Sequence, residues 1–162
     1  MSLNWKEIDL VISELDLVGA KIERIIQPSY DSLSLGLFKA GTSTELFISV
    51  AQGACRLHAL TSAPPKPDRP LRFMECLRSR IKGGRIDAIA QIGKERVVKI
   101  ELSVSRSIDI RDRDAASGVG IELQKLFLYA RLWSGAGNIV LVDETGIVVD
   151  AIARRPKKGE VS

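Results

Sequence analysis

Histidine occurs once in this 162-residue chain, at His58, and cysteine twice, at Cys55 and Cys76; aromatic residues make up only 5%. A single histidine gives little support to a Ser-His-Asp arrangement and none to a histidine-rich metal site. Two cysteines without a CxxC pair exclude a disulfide-dense scaffold and read as reduced thiols of a cytoplasmic protein. No stretch approaches the roughly 18 uninterrupted apolar residues of a membrane helix, so no membrane association is expected. The opening MSLNWKEIDL mixes acids and bases where a secretory signal needs a basic start and an apolar run, so export is not expected. Repeats and low-complexity tracts are missing as well.

What is present is a modest basic excess, 24 Lys plus Arg against 20 Asp plus Glu, for a formal charge of +4 and a pI near 9.2. That balance is compatible with a nucleic-acid partner without requiring one. The length suits one domain with a sizeable core, expected over residues 1–155, followed by a polar tail over 156–162 that reads as a linker toward further domains.

Periodicity divides the chain. In NWKEIDLVISELD, Trp5, Ile8, Ile12 and Leu15 recur at helical spacing, and Asn4 with Glu7 forms a capping-box pattern ahead of them. After Gly19 the period changes to that of strands. Ile22, Ile25 and Ile26 lead to Gln27-Pro28-Ser29, where proline is expected to end the first strand. Leu33, Leu35 and Leu37 then alternate with Ser32, Ser34 and Gly36, predicting one buried face and one small, polar face. LFISV and CRLHAL complete an antiparallel meander, since the connections are too short for parallel crossovers. Within it, His58 alternates with leucines at a strand end and reads as a structural histidine bonded to backbone.

TSAPPKPDRPL, with four prolines, can be neither helix nor ladder and is expected to carry the chain between layers. RFMECLRSRIKGG predicts a second helix with Phe73, Cys76, Leu77 and Ile81 inward, Arg72, Arg78, Ser79 and Lys82 outward, and Gly83 as its left-handed cap. GGRIDAIAQIGKERVVKIEL follows as two alternating strands around Gly-Lys-Glu-Arg. Residues 105–119 alternate bases and acids, as in a solvated loop or a polar hairpin extension. ELQKLFLYARLW is read as a strand, SGAGN as a turn, and IVLVD and GIVVDAIA as a final hairpin. Two helices and about eight strands amount to an α+β fold with two antiparallel layers and flanking helices.

No catalytic constellation and no cofactor-binding motif stand out. The glycines at 83–84 and 135–137 do not match a phosphate loop, and Arg106, Arg111 and Arg113 would neutralise any metal cluster formed by their acidic neighbours. Surface cations remain: Arg78, Arg80, Lys82 and Arg85 at the end of the second helix, Lys94 and Arg96 at the hairpin tip, and Arg154, Arg155, Lys157 and Lys158 near the C-terminus. Such groups suit phosphate oxygens, which Arg can grip with two parallel hydrogen bonds.

Five stretches occur in a familiar order: GAKIERIIQPSYDSLSLGLF, ACRLHALT, the proline-rich crossing, FMECLRSRIKGGRIDAIAQIGKERVVKIEL and GNIVLVDETGIVVDAIARR. Together they resemble the N-terminal domain of the NFACT family, ribosome quality-control proteins formerly labelled fibronectin-binding. The resemblance implies a two-layer antiparallel β-sandwich with flanking helices, similar to the N-terminal domain of formamidopyrimidine-DNA glycosylase. That enzyme uses an N-terminal proline, where this chain has Met1, Ser2 and Leu3, so binding rather than catalysis is implied. In the family, the position of Glu95-Arg96 holds an Asp-Arg pair used in binding tRNA, which brings alanyl-tRNA to a stalled large ribosomal subunit for C-terminal tailing of the nascent chain.

By that resemblance Arg96 is the main tRNA contact and Glu95, one methylene longer than the family's Asp, its partner. Arg78, Arg80, Lys82 and Arg85 become candidate neutralisers of the RNA backbone. The family's Gly-Arg-His-Ser before the IVLVD-like strand is replaced here by WSGAG, so no contact is carried over from it. The implied partners are tRNA and, through a longer protein, the large ribosomal subunit and its rRNA; no cofactor is implied. The alternatives are a fibronectin-binding adhesin domain and a non-catalytic DNA-binding relative of the glycosylase.

Overall fold

A computed structural model describes residues 2–109 and 119–153. Arg111 and Arg113, the C-terminal cations from Arg154 onward and the tail over 156–162 lie outside the described residues. The elements are α1 (Trp5–Leu15), β1 (Lys21–Ser29), β2 (Ser32–Lys39), β3 (Thr42–Ala51), β4 (Ala54–Leu60), α2 (Arg72–Arg80), β5 (Arg85–Gln91), β6 (Val97–Asp109), β7 (Val119–Arg131), β8 (Asn138–Asp143) and β9 (Val148–Ala151).

Helix α1 begins as its sequence dictates. The Asn4 side chain accepts from the Glu7 amide at 2.9 Å, and the Glu7 carboxylate accepts from the Asn4 amide at 3.0 Å, which satisfies two of the amides left orphaned at a helix start. Among the described residues nine strands, rather than about eight, form one antiparallel sheet in the order β4-β3-β2-β1-β5-β6-β7-β8-β9. The two expected layers are the two halves of that sheet.

The halves are joined by a narrow ladder. Lys21 faces Arg85, and backbone bonds run from Ile22 to Gly84 and from Gly83 to Ile22, both at 2.8 Å. A Cβ on Gly84 would lie 2.9 Å from the Ile81 carbonyl, so the chain can pass this close only as glycine. Beyond the fold line the halves face one another. Leu35, Ile48 and Leu57 from one half and Ile100, Leu128 and Leu141 from the other share a single buried cluster with Ile8 and Phe73. Val50 and Gly137 bring them close together, since a Cβ on Gly137 would lie 2.8 Å from that of Val50.

Three local expectations are refined or corrected. The Gln27-Pro28-Ser29 stretch does close β1, which ends at Ser29, but the strand passes through Pro28 itself, with a register shift between Ile26 and Ser29 that absorbs the missing amide. The small, polar face of β2 is buried as well as the apolar one: Ser34 donates to Glu45 at 2.6 Å, and Arg24 reaches the same carboxylate at 2.8 Å. Arg78 does not point away from the core side, because its Nε donates to the Ile25 carbonyl at 3.2 Å and fastens α2 onto β1. At the other end of α2, Arg72 pairs with Asp150 and donates to the Ala151 carbonyl, tying the helix to β9.

ELQKLFLYARLW is a strand, as read, with Leu126, Leu128 and Ala130 inward. Residues 105–109 continue β6 beyond the core, in the manner of a hairpin extension. His58 meets the Ala59 carbonyl at 3.0 Å and lies beside the Phe47 ring, in keeping with a structural histidine.

Candidate nucleic-acid interface

The turn between β5 and β6, Ile92–Arg96, is closed by a bond from the Ile92 amide to the Val97 carbonyl at 2.8 Å. Arg96 adopts a left-handed backbone, φ +57°, a conformation that a non-glycine residue occupies at some cost and that surrounding contacts must hold. Here the bracing is visible. Its carbonyl accepts from the Leu132 amide at 2.8 Å. The Trp133 indole donates to the Glu95 carbonyl at 2.6 Å, and Lys94 Nζ sits 4.9 Å above the Trp5 ring. Two tryptophans, one before α1 has completed a turn and one past the end of β7, thus grip the tip from two sides.

The side chains of the tip stay available. Glu95 is exposed and Arg96 half-buried, and neither carries an ion pair among the described residues. Burial pushes the Cys55 thiol above its ordinary 9.0, while the hydroxyl of Ser2 and the positive charge of Arg96 pull it back.

The remaining cations gather at the other end of the sandwich. Strand β5 carries seven residues from Arg85 to Gln91, which separates its ends by about 20 Å. At the Arg85 end, Arg24, Lys66, Arg78 and Lys82 line one cleft of about 300 Å³ with Ile25 and Ile26. Arg80, Lys82 and Arg106 line a more polar one of about 430 Å³ with Ser79 and Gln124. Lys82 belongs to both.

Part of this charge has structural work: Arg78 and Arg80 stand in the last turn of α2, where cations complement the negative end of the helix dipole. Arg85 is held to Asp87 at 3.3 Å, and Lys125 reaches the same carboxylate at 2.7 Å. Hydrogen bonds from Lys125 and Ser103 keep the Asp87 carboxyl below its ordinary 3.8 against the opposing effect of burial.

The six residues singled out in the sequence therefore form two groups, Glu95 with Arg96 and Arg78 with Arg80, Lys82 and Arg85, at opposite ends of one hairpin. Sequence reading missed Trp5 and Trp133 as braces, and Arg24, Lys66 and Arg106 as neighbours of Lys82. The parity of β7 was the available signal for Trp133: it continues the outward series Phe127, Tyr129, Arg131. Nothing local pointed to Arg24 or Lys66, which meet Lys82 only through the tertiary fold. Among the described residues, no group of three His, Cys, Asp or Glu could hold a metal ion, and no helix is long and apolar enough to cross a membrane.

Comparison with known proteins adds independent information. A family model described as NFACT N-terminal and middle domains matches residues 8–160. Two curated relatives are both called Rqc2 homolog RqcH. The Bacillus subtilis protein is 24% identical over 84% of this chain and 22% of its own length. The Streptococcus pneumoniae protein is 27% identical over 90% of this chain and 24% of its own length. The chain thus spans about a quarter of these relatives. Among solved structures, the N-terminal domain of fibronectin-binding protein PavA from Streptococcus pneumoniae aligns over 98% of this chain and 56% of its own, with a TM-score of 0.83 at 22% identity. The N-terminal part of the fibronectin/fibrinogen-binding protein of Streptococcus suis aligns over 94% and 54%, at 0.80 and 22%. At these identities the structural matches establish the fold alone.

Proposed function

As the chain belongs to the NFACT family, we propose that it is a non-enzymatic RNA-recognition domain of a ribosome quality-control factor. Within a longer protein it binds tRNA and supports C-terminal alanine tailing of nascent chains stalled on the large ribosomal subunit. The observation that carries this reading is the Arg96 guanidinium, presented at a braced hairpin tip without an ion-pair partner among the described residues. An Arg fork suits a phosphate or a base edge, and the adjacent Glu95 carboxylate can accept from a ribose hydroxyl or an exocyclic amine. Arg78, Arg80, Lys82 and Arg85 lie too far away to touch the same nucleotide. Their part is to neutralise phosphates some 20 Å off, a span that a folded RNA reaches easily.

The test is a mobility or filter-binding assay of tRNA at fixed salt. Arg96→Ala is expected to weaken binding about tenfold, in the range of a single lost Arg contact. Unchanged affinity removes the tip from the site. The names of the structural relatives favour one second reading, a fibronectin-binding role. Immobilised fibronectin separates the two: retention of the chain that survives Arg96→Ala, together with absent tRNA binding, selects the second.

A further inference from the structure

Strands β5 to β8 bury one face, and among the described residues the helices pack mainly elsewhere: α1 against β4 and β5, and α2 against β1 and β9. On β7 the outward residues are Lys125, Phe127, Tyr129 and Arg131. On β6 they are Lys99, Glu101 and Ser103, opposite Tyr129, Phe127 and Lys125 respectively. On the far side Val142 and Val140 of β8 stand opposite Phe127 and Tyr129, and beyond β6 Ala88 and Ala90 of β5 lie next to Glu101 and Lys99 and add almost no bulk. The face is basic, with Arg85, Lys99, Lys125 and Arg131 against Asp87 and Glu101, and it runs from the Arg96 tip to the Arg85 end.

We propose that this face takes an unpaired segment of RNA, whose bases stack on Phe127 and Tyr129 while Lys99, Lys125 and Arg131 meet its phosphates. The proposal rests on the RNA-binding reading above and gives it a second contact surface between the two basic ends. Ring spacing supports it: Phe127 and Tyr129 are two residues apart on one strand, about 7 Å, a step that successive unstacked nucleotides can match. Sheet faces that present neighbouring aromatics with basic residues among them are a recurrent solution for single-stranded RNA, because every base has a face to stack and every linkage a phosphate to pair.

Lys99 Nζ now lies 4.9 Å above the Phe127 ring, occupying the place of a base. It is free to leave: the side chain is 36% exposed, and its partner Glu101 is 3.5 Å away in a surface pair of little strength. The Tyr129 hydroxyl has no hydrogen-bond partner among the described residues and can serve a ribose or a phosphate. Arg131 stacks on Trp133 at 4.9 Å and donates its Nε to the Ala136 carbonyl at 3.0 Å, which leaves the far edge of a fixed guanidinium for phosphate. A protein partner fits less well, since lysines are depleted from the centres of protein interfaces and two lie in the middle of this one.

The test is fluorescence anisotropy of a labelled oligouridylate with the intact chain at low salt, alongside the tRNA assay. Phe127→Leu and Tyr129→Leu keep apolar, strand-compatible side chains, and each is expected to weaken oligouridylate binding about tenfold, the effect of one lost stacking contact. Ultraviolet crosslinking of the wild-type complex should place RNA on the tryptic peptide Leu126–Arg131. Oligouridylate that is not bound, binding unchanged in both leucine variants, or crosslinks confined to other peptides overturns the proposal. If Arg96→Ala still weakens tRNA binding in that case, the hairpin tip stands and the sheet face alone is excluded. If the leucine variants lose RNA while Arg96→Ala binds normally, the face stands and the tip is excluded.

Discussion

The indole of Trp133 donates a 2.6 Å hydrogen bond to the backbone carbonyl of Glu95, 38 positions earlier in the chain. This bond reaches across from the exit of β7 to the turn that displays Glu95 and Arg96, so the orientation of the proposed RNA contact depends on a residue that touches no RNA in that reading. Trp133→Phe removes the donor and leaves a smaller aromatic ring in its place. The expected outcome is a small loss of stability, about 1 kcal/mol, faster hydrogen exchange at the Glu95 and Arg96 amides, and weaker tRNA binding. Exchange indistinguishable from wild type would mean that the Leu132 amide bond and the Lys94–Trp5 stack hold the tip without it.

Arg96 combines a strained backbone with a functional side chain, and glycine separates the two. At φ +57° glycine removes a steric cost of about 1–2 kcal/mol, while the extra freedom it gives the unfolded chain takes back about 0.4–1 kcal/mol. Arg96→Gly should therefore unfold within about 1 kcal/mol of wild type yet lose tRNA affinity as fully as Arg96→Ala. A denaturant titration paired with the binding assay checks both halves. Strong destabilisation would identify the guanidinium as a structural group.

Asp87 lies 17% exposed between Arg85 and Lys125, with Lys125 the largest influence holding its carboxyl below 3.8, followed by Ser103. Because the folded value is depressed relative to the unfolded chain, its contribution to stability is present in full above the ordinary carboxylate range and is lost as pH falls through the folded value. Asp87→Asn should accordingly narrow the stability difference between wild type and variant as a urea titration series is taken from neutral pH down through the ordinary carboxylate range. A difference that stays constant over that span would show that the carboxylate gains nothing from its neighbours.

Gly137 stands at a close approach between the two halves of the sheet. A Cβ there would lie 2.8 Å from Val50 Cβ, with the Arg131 and Trp133 carbonyls at 3.1 Å. Backbone and a β-branched side chain cannot easily move aside. Gly137→Ala is expected to cost about 1–3 kcal/mol as an overpacking change, read as a lower denaturation midpoint, and Val50→Ala in the same chain should recover little of it, because alanine keeps the Cβ that stands 2.8 Å away.

Much of the scaffold was written in local pattern. The Asn4–Glu7 capping box depends on four consecutive positions, so the sequence could announce α1 and the structure returns it with both hydrogen bonds formed. The alternation in GGRIDAIAQIGKERVVKIEL likewise contained its own hairpin, because adjacent strands joined by a short turn pair by default. Local pattern falls short where a residue's setting is supplied from elsewhere. Ser32, Ser34 and Gly36 read as the small, polar face opposite the buried one, yet Ser34 and Gly36 are themselves covered by Glu45 and Arg24, a buried acid and the arginine that neutralises it. Gln27-Pro28-Ser29 does close β1 at Ser29, yet the strand passes Pro28 by a shift in register that the local sequence does not show.

By itself, then, the sequence determined what its short-range periodicities encode: two amphipathic helices, the antiparallel run of strands, and a turn carrying an acid beside a base. Only the tertiary structure decided that the strands form a single sheet folded at Gly83-Gly84, that the six singled-out residues divide between opposite ends of a hairpin, and that Trp133 steadies Glu95 from 38 residues away. The physical reason is range. Caps, turns and strand alternation are settled by neighbours within a few residues, whereas the meeting of two sheet halves, and the side chains it brings together, is settled by the burial of one shared core.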